Sequence, residues 1–289
     1  MHKVTRNQII YKMSPENVPV LMVDAGQAFE FETEDALHGQ IKNESDGFDG
    51  LNWDQINPAT GPVYVNGANP GDVLSVKIKK IEVADTGVVM CGPGMGVLGH
   101  LLEKSASKVV KIADGFAHFS PRFKLPLNKM VGVIGVAPPK GEIPCGVPDF
   151  HGGNMDCKEI REGATVLLPV FVPGALLSLG DLHAVMADGE AGVSGIEVSG
   201  SVVVTVDVIK GVQYPLPMIE NDTHYMTIAS HESLDTAVDM AAQNMAKFLV
   251  AKYDIGISEA VMLVSLAGDI RICQVVDPKK TARVEFRKM

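Results

Sequence analysis

Apolar and polar positions alternate through much of the first two-thirds of the chain. In "VLSVKIKKIEV" (Val73 to Val83), Leu74, Val76 and Ile78 recur two apart, the period of a strand with one face buried. "VGVIGVAP" and "GSVVVTVDVIK" are rich in Val and Ile, side chains that pack well on a pleated surface. Between such runs fall the turn signals "INPATGP", "GANPGD" and "APPKGEIPCGVPD". Strands at this spacing, in a chain with 29 Gly and 17 Pro, predict a mainly β, antiparallel sandwich or barrel rather than a βαβ array.

The period changes near the C-terminus. After "SHES", Leu234, Ala237, Val238, Ala241, Met245, Phe248 and Leu249 recur at three and four, one face of a long helix with Ser233 as its cap. A second helix is expected from Ser258 to near Gly268, followed by the strands "DIRICQVV" and "ARVEF". The chain therefore reads as a β body with an appended C-terminal α+β segment. Residues 1–145 are expected as a β-rich lobe. Residues 146–289 are expected as a β core that carries the site and continues into that segment. No low-complexity linker divides them, so the two are expected to pack as one unit. "NPGDVLSVKI" and "REGATVLLPV" echo each other loosely, too loosely for a repeat.

Composition narrows the class. With 46% hydrophobic and 21% charged residues over 289 positions, the chain has enough apolar material for a sizeable core. A formal net charge of -10 argues against nucleic acid, whose phosphates reward Lys and Arg. The longest uncharged run, Ala164 to Gly180, is broken by Pro169, Pro173 and Gly174 and falls short of the roughly 20 residues a spanning helix needs. No membrane segment is expected. "MHKVTRNQII" lacks the apolar run of a signal peptide, and Cys91, Cys145, Cys157 and Cys273 show no CxxC spacing. Both point to a cytoplasmic protein with reduced thiols.

Candidate chemistry gathers in two segments. "GDLHAVMADGE" (Gly180 to Glu190) follows the apolar run and exposes Asp181, His183, Asp188 and Glu190 in quick succession. "FHGGNMDCKEI" (Phe150 to Ile160) sets Asn154 and Asp156 two apart, after the adjacent glycines Gly152 and Gly153, which permit close backbone approach. If each pair lies on a strand, its two side chains share one face. Asp156, Asp181 and His183 then form a set that divalent zinc accepts, with room for a water. A lone Asp in a Gly-rich turn more often caps the chain, and that reading fits Asp188 alone. Burying three such groups without a partner would be costly, which favours ligation for Asp156, Asp181 and His183 together. "GMGVLG" (Gly94 to Gly99) matches a dinucleotide pattern on paper, but no βαβ pattern surrounds it. It reads as a Gly-rich loop beside the active site, with His100 as a substrate-side candidate.

The ordered motifs "NPATGPVYVNGANPGDVLSV", "GGNMDCKEI", "LPVFVPGALLSLGDLHAVMADGE" and "GIEVSG" together resemble the acetamidase/formamidase family, from about Ile56 to Ser199. The resemblance implies metal-dependent hydrolysis of short amides with release of ammonia, a jelly-roll-like β-sandwich, and a homodimer. It also implies that Asp156, Asp181 and His183 form the metal site and that Glu190 of "DGE" is the acid/base residue.

An amide has a poor electrophile and a poor leaving group. A metal that polarises the carbonyl, a carboxylate that moves the proton, and donors for the oxyanion answer those needs. The Gly152 and Gly153 backbone amides are the candidate donors. Glu197 of "GIEVSG" competes with Glu190 as base or adds a ligand, and Asp188 is a further candidate for either role. Two alternatives stay open: a cysteine amidase with Cys157 as nucleophile and His151 as base, or a non-catalytic, metal-stabilised β-sandwich binding module. Calcium would want six to eight oxygens, so His183 argues against it in the first site. A second, oxygen-only ion using Asp188 or Glu197 remains open.

Overall fold

The computed structural model describes residues 1–289, apart from the side chain of Asp49. Two large sheets lie face to face. The first has nine strands, and at its centre Gly200–Ile209 pairs with Val73–Val83, which pairs in turn with Thr165–Pro169. The second has eleven strands. There Leu177–His183 lies between Met130–Gly135 and the short Glu197–Val198, with Gly152–Asn154 beyond Met130–Gly135. Pairing is antiparallel except for His2–Val4 beside Ala28–Thr33 and Leu21–Val23 beside Ala59–Val65. Both sheets draw strands from either side of residue 145.

Period-two patterning builds the core. From the first sheet, Phe29, Phe31, Leu74, Val76, Ile78, Val166, Leu168, Val202, Val204 and Val206 point inward. They meet Val63, Val131, Ile134, Leu177, Leu179 and Leu182 from the second sheet. Burying an aliphatic side chain of this size contributes about 1.5–3 kcal/mol, so this interface is the main source of stability. The loosely similar segments around Val76 and Val166 lie side by side, with Val76 opposite Val166 and Leu74 opposite Leu168.

At its C-terminal end the first sheet is covered on its outer face as well. Helix α1, Leu234–Tyr253, begins at Ser233, whose hydroxyl accepts from the Thr236 N–H at 3.4 Å. It lays Ala241, Met245, Phe248 and Leu249 against Leu167, Met218, Val284 and Phe286. Helix α2 runs Ile257–Ala267 and leads into the hairpin Gly268–Gln274 and Lys280–Arg287. The architecture is thus a β-sandwich body with a C-terminal α+β segment, as the periodicity predicts. No described helix is long and apolar enough to cross a membrane.

Candidate metal centre

The strand Leu177–His183 delivers two of the candidates, but not by simple alternation. All seven of its residues are buried, and Asp181 sits in the left-handed region at φ 55°. Asp156 and Glu190 share that conformation, at φ 42° and 44°. Backbone of this kind costs on the order of 1–3 kcal/mol per residue and persists where the surroundings hold it, commonly at functional sites. Asp181 and His183 nonetheless lie together on the cavity side, with Leu182 between them buried in the sandwich core.

Gly132 makes the room. Val131 pairs with Leu182 and Val133 with Gly180, which sets Gly132 opposite Asp181. A Cβ at Gly132 would lie 2.5 Å from Asp181 Oδ2 and closer still to Asp156 Oδ1. Gly195 does the same beside the imidazole, where a Cβ would lie 2.8 Å from His183 Nδ1. Neither glycine was visible as a site element in the sequence, because each matters only through what lies across the sheet.

His183 is the hub. Its Nε2 lies 3.0 Å from Glu197 Oε2, 3.3 Å from Asp181 Oδ1 and 3.9 Å from Asp156 Oδ1. Its Nδ1 faces Met186 Sδ at 3.2 Å. A thioether only accepts, so this contact is a hydrogen bond when Nδ1 carries the proton, which leaves the Nε2 lone pair to the cluster. Glu190 completes the group. Its Oε1 accepts from the Gly195 N–H at 3.0 Å, while Oε2 is buried without a partner. Asp156 Oδ1, Asp181 Oδ1 and Glu197 Oε2 are also buried and unpartnered.

So many carboxylates in one buried place repel one another. Burial, reinforced by Asp181, raises Asp156 to about 7. Burial likewise raises Glu197 to about 8, and burial with Asp156 pushes Glu190 well above the carboxylate range. Burial opposes charge on His183, yet Glu197 and Asp181 outweigh it and hold the imidazole well above its ordinary value. The cluster opens on a cavity of about 200 Å³ whose lining includes Asp156, Asp181, Glu190, Glu197 and Asp277 and, among the described residues, no Lys or Arg. Orphaned carboxylate oxygens gathered on one imidazole nitrogen, with no Lys or Arg beside them, are what a divalent cation satisfies in place of a proton. Asp156, His183 and Glu190 form one set whose ligand atoms lie within 4.8 Å of one another; Asp181, His183 and Glu197 form another.

The other candidates lie elsewhere. Asp188 is held by Arg283, with guanidinium contacts of 2.7 and 3.0 Å, and by Lys158 at 2.9 Å, so it is neutralised outside the cavity. It is neither ligand nor base in this arrangement. His100 is exposed, bonds its own loop at Val97 O, and does not line the cavity, whereas Met95 of the same loop does. Gly152 and Gly153 do not line it either, and the Gly152 N–H is committed to Asp149 O at 3.0 Å, so it is no oxyanion donor. Their positive φ values, 98° and 82°, serve the close packing of the Gly152–Asn154 strand. Cys157 is fully buried in the sandwich core beside Cys273, away from the cavity lining, and His151 is also absent from that lining. The cysteine alternative therefore lacks an accessible nucleophile. Among the lining residues not anticipated as site residues are Asn154, noted only for its spacing, and Asp277, a lone acid in a turn with nothing local to mark it.

A profile of the Acetamidase/Formamidase family matches residues 3–145 and 143–283. The chain belongs to the acetamidase/formamidase family. Among solved structures it is similar to an acetamidase from Bacillus halodurans, with 45% identity and TM-score 0.97 over 99% of this chain and 97% of that one. It is also similar to a predicted acetamidase/formamidase from Thermoanaerobacter tengcongensis, with 49% identity and TM-score 0.96 over 99% and 95%. A formamidase from Methylophilus methylotrophus is 28% identical over 264 residues, 70% of this chain and 64% of that protein. The matches span 61 to 65% of the length of the curated relatives.

Proposed function

We propose that this member of the family hydrolyses short aliphatic amides, of the formamide and acetamide type, to the carboxylate and ammonia. The reaction would use a divalent metal, zinc in the first instance, held by Asp156, Asp181 and His183 with Glu197 beside them. The observation that carries this reading is the buried set of orphaned carboxylate oxygens around His183 Nε2, opening on a small cavity. Both ligand sets include His183. One imidazole nitrogen has one lone pair, so the overlap favours a single ion over a zinc and calcium pair. When bound, the ion supplies Lewis acidity toward the amide carbonyl and toward water.

The chain's own groups do the rest. Glu190 Oε1 is fixed by the Gly195 N–H, which leaves Oε2 free in the cavity. That oxygen takes the proton of the attacking water and returns it to the departing nitrogen. Leu37, Phe48, Trp53, Ile56 and Met90 wall the cavity with apolar surface, which excludes bulk water and accepts a short alkyl group. A homodimer in the cytoplasm belongs to the same proposal. The support for the dimer is the exposed apolar surface of α2 and the following strand at Val261, Met262, Leu266 and Ile270.

The test is ammonia release from formamide, acetamide and longer amides, with metal content determined alongside, for wild type and Glu190→Gln. The variant keeps pocket shape and loses the proton acceptor. The expected result is retained metal, nearly unchanged KM, and kcat lower by about 100-fold or more. Loss of metal from Glu190→Gln makes Glu190 a ligand and moves the base role to Glu197. A metal-replete wild type that releases no ammonia from any amide favours a binding module.

A further inference from the structure

Beside the ligand set, the cavity lining includes Asn57, Asn154, Ser194 and Asp277, of which Asn154 and Asp277 carry orphaned oxygens. Asn154 is 4% exposed, lines the cavity, and its Oδ1 is buried without a partner. Asp277 lines the same space, and its Oδ2 is likewise buried and unpartnered. The remaining hydroxyl of the lining is already spent: Ser194 Oγ accepts from Met90 N–H and donates to Met90 O. A buried acceptor left unpaired costs about 1–3 kcal/mol in general, so two in one small cavity call for donors.

Asp277 is held there deliberately by its hairpin. The fully buried Gln274 side chain accepts from the Val276 and Asp277 N–H groups at 2.9 and 3.1 Å. The same side chain donates to Lys279 O at 2.6 Å and Thr281 Oγ1 at 3.1 Å. One glutamine thereby fixes the whole turn. The turn is also tied to the Glu190 segment, because Val275 N–H donates to Gly189 O at 3.1 Å and Gly189 N–H to Cys273 O at 2.9 Å. Side chains on the two segments are thus kept in register across the cavity. Burial, with Asp156 and Asp181, pushes the Asp277 carboxyl up, whereas Asn154 favours its ionised form.

We propose that Asn154 Oδ1 and Asp277 Oδ2 form a subsite for the –NH2 group of a primary amide, and that this subsite selects unsubstituted amides over N-alkylated amides and esters. The argument is a match of number and kind. Two residues of the lining carry orphaned acceptors, and a primary amide nitrogen carries two N–H donors. A secondary amide carries one, while a tertiary amide or an ester carries none, so each leaves a buried acceptor unpaired. Sites built this way reject the analogue that lacks the donor far more strongly than apolar pockets reject an extra methyl. The inference rests on the amidase reading above.

The test separates the two claims. Calorimetry on metal-loaded protein compares acetamide with N,N-dimethylacetamide for wild type, Asp277→Ala and Asp277→Asn, with metal content and thermal melting recorded for each. Wild type is expected to prefer acetamide by about 10- to 100-fold, the range for leaving a buried acceptor unpaired. Asp277→Ala should bring that preference close to unity at unchanged metal content, and Asp277→Asn, which keeps one acceptor and the shape, should fall between. If the alanine variant does not fold, the asparagine variant carries the test. Equal binding of the two compounds by wild type overturns the subsite, as does a preference that survives both substitutions. Loss of metal in either variant also overturns it, since Asp277 is then a ligand. A preference that behaves as expected in a protein releasing no ammonia keeps the subsite and removes the hydrolytic reading alone.

Discussion

Gly132 shows how much of this site depends on a missing side chain. Its φ lies outside the left-handed region, so an alanine there is acceptable to the backbone. The obstacle is purely space, because the new Cβ would meet the Asp156 and Asp181 carboxylates. Gly132→Ala is therefore predicted to keep the melting transition near the wild-type value and to weaken metal binding by at least 10- to 100-fold, as displaced ligands and their supports do. Titration of the metal-free variant with zinc, followed by calorimetry, checks this, and wild-type affinity would remove Gly132 from the account. At this scale the sequence was legible where acids and a histidine cluster within a few residues. Asp156, Asp181, His183, Glu190 and Glu197 all reach one cavity. It was silent where a residue acts across space: Gly132 and Asp277 have unremarkable neighbours along the chain, and Gly195, although it opens "GIEVSG", matters through its contact with His183. For Asp188 the structural reading favoured for it alone stands, with Arg283 and Lys158 as the partners that neutralise it, and its further candidacy as ligand or base does not.

The C-terminal hairpin Gly268–Gln274 and Lys280–Arg287 does more than close the sheet. It carries Asp277 at its turn and Arg283 on its second strand, and Arg283 is 1% exposed with its guanidinium forked onto Asp188. Asp188 opens the turn that ends at Glu190, so this buried fork holds the segment of the proposed base from behind. Periodicity was sufficient to place these two strands and both helices, because a helical face and a β-branched run are local signals. That the hairpin would reach back to the segment at residues 188–190 was not legible, since such pairing depends on the sheet order. Arg283→Met should cost about 3 kcal/mol, the low end for breaking a buried pair, because Asp188 keeps Lys158 and is itself partly exposed. Misplacing Glu190 should lower kcat by about 10- to 100-fold while metal content is retained. Arg283→Lys restores the charge without the fork and is expected to recover stability more than rate. Denaturant unfolding and steady-state kinetics on the two variants check this; a destabilised Arg283→Met with wild-type kcat would limit Arg283 to the fold.

Over the whole molecule, a large sandwich core supports a site whose parts strain locally and repel one another. Three left-handed residues and a set of crowded carboxylates are expensive features. The two face-to-face sheets supply the rigidity that holds them in place. The general architecture was readable from strand spacing and turn signals. Placement of the site between strands from distant parts of the chain was not, because it follows from tertiary pairing. The proposed cation would resolve the electrostatic conflict, and its removal should expose that conflict in both activity and stability. The most direct measurement is therefore ammonia release from acetamide as metal-free protein is titrated with zinc. The account predicts negligible release before addition, a linear rise, and a break at one ion per chain; full release from protein verified to be free of metal would contradict it.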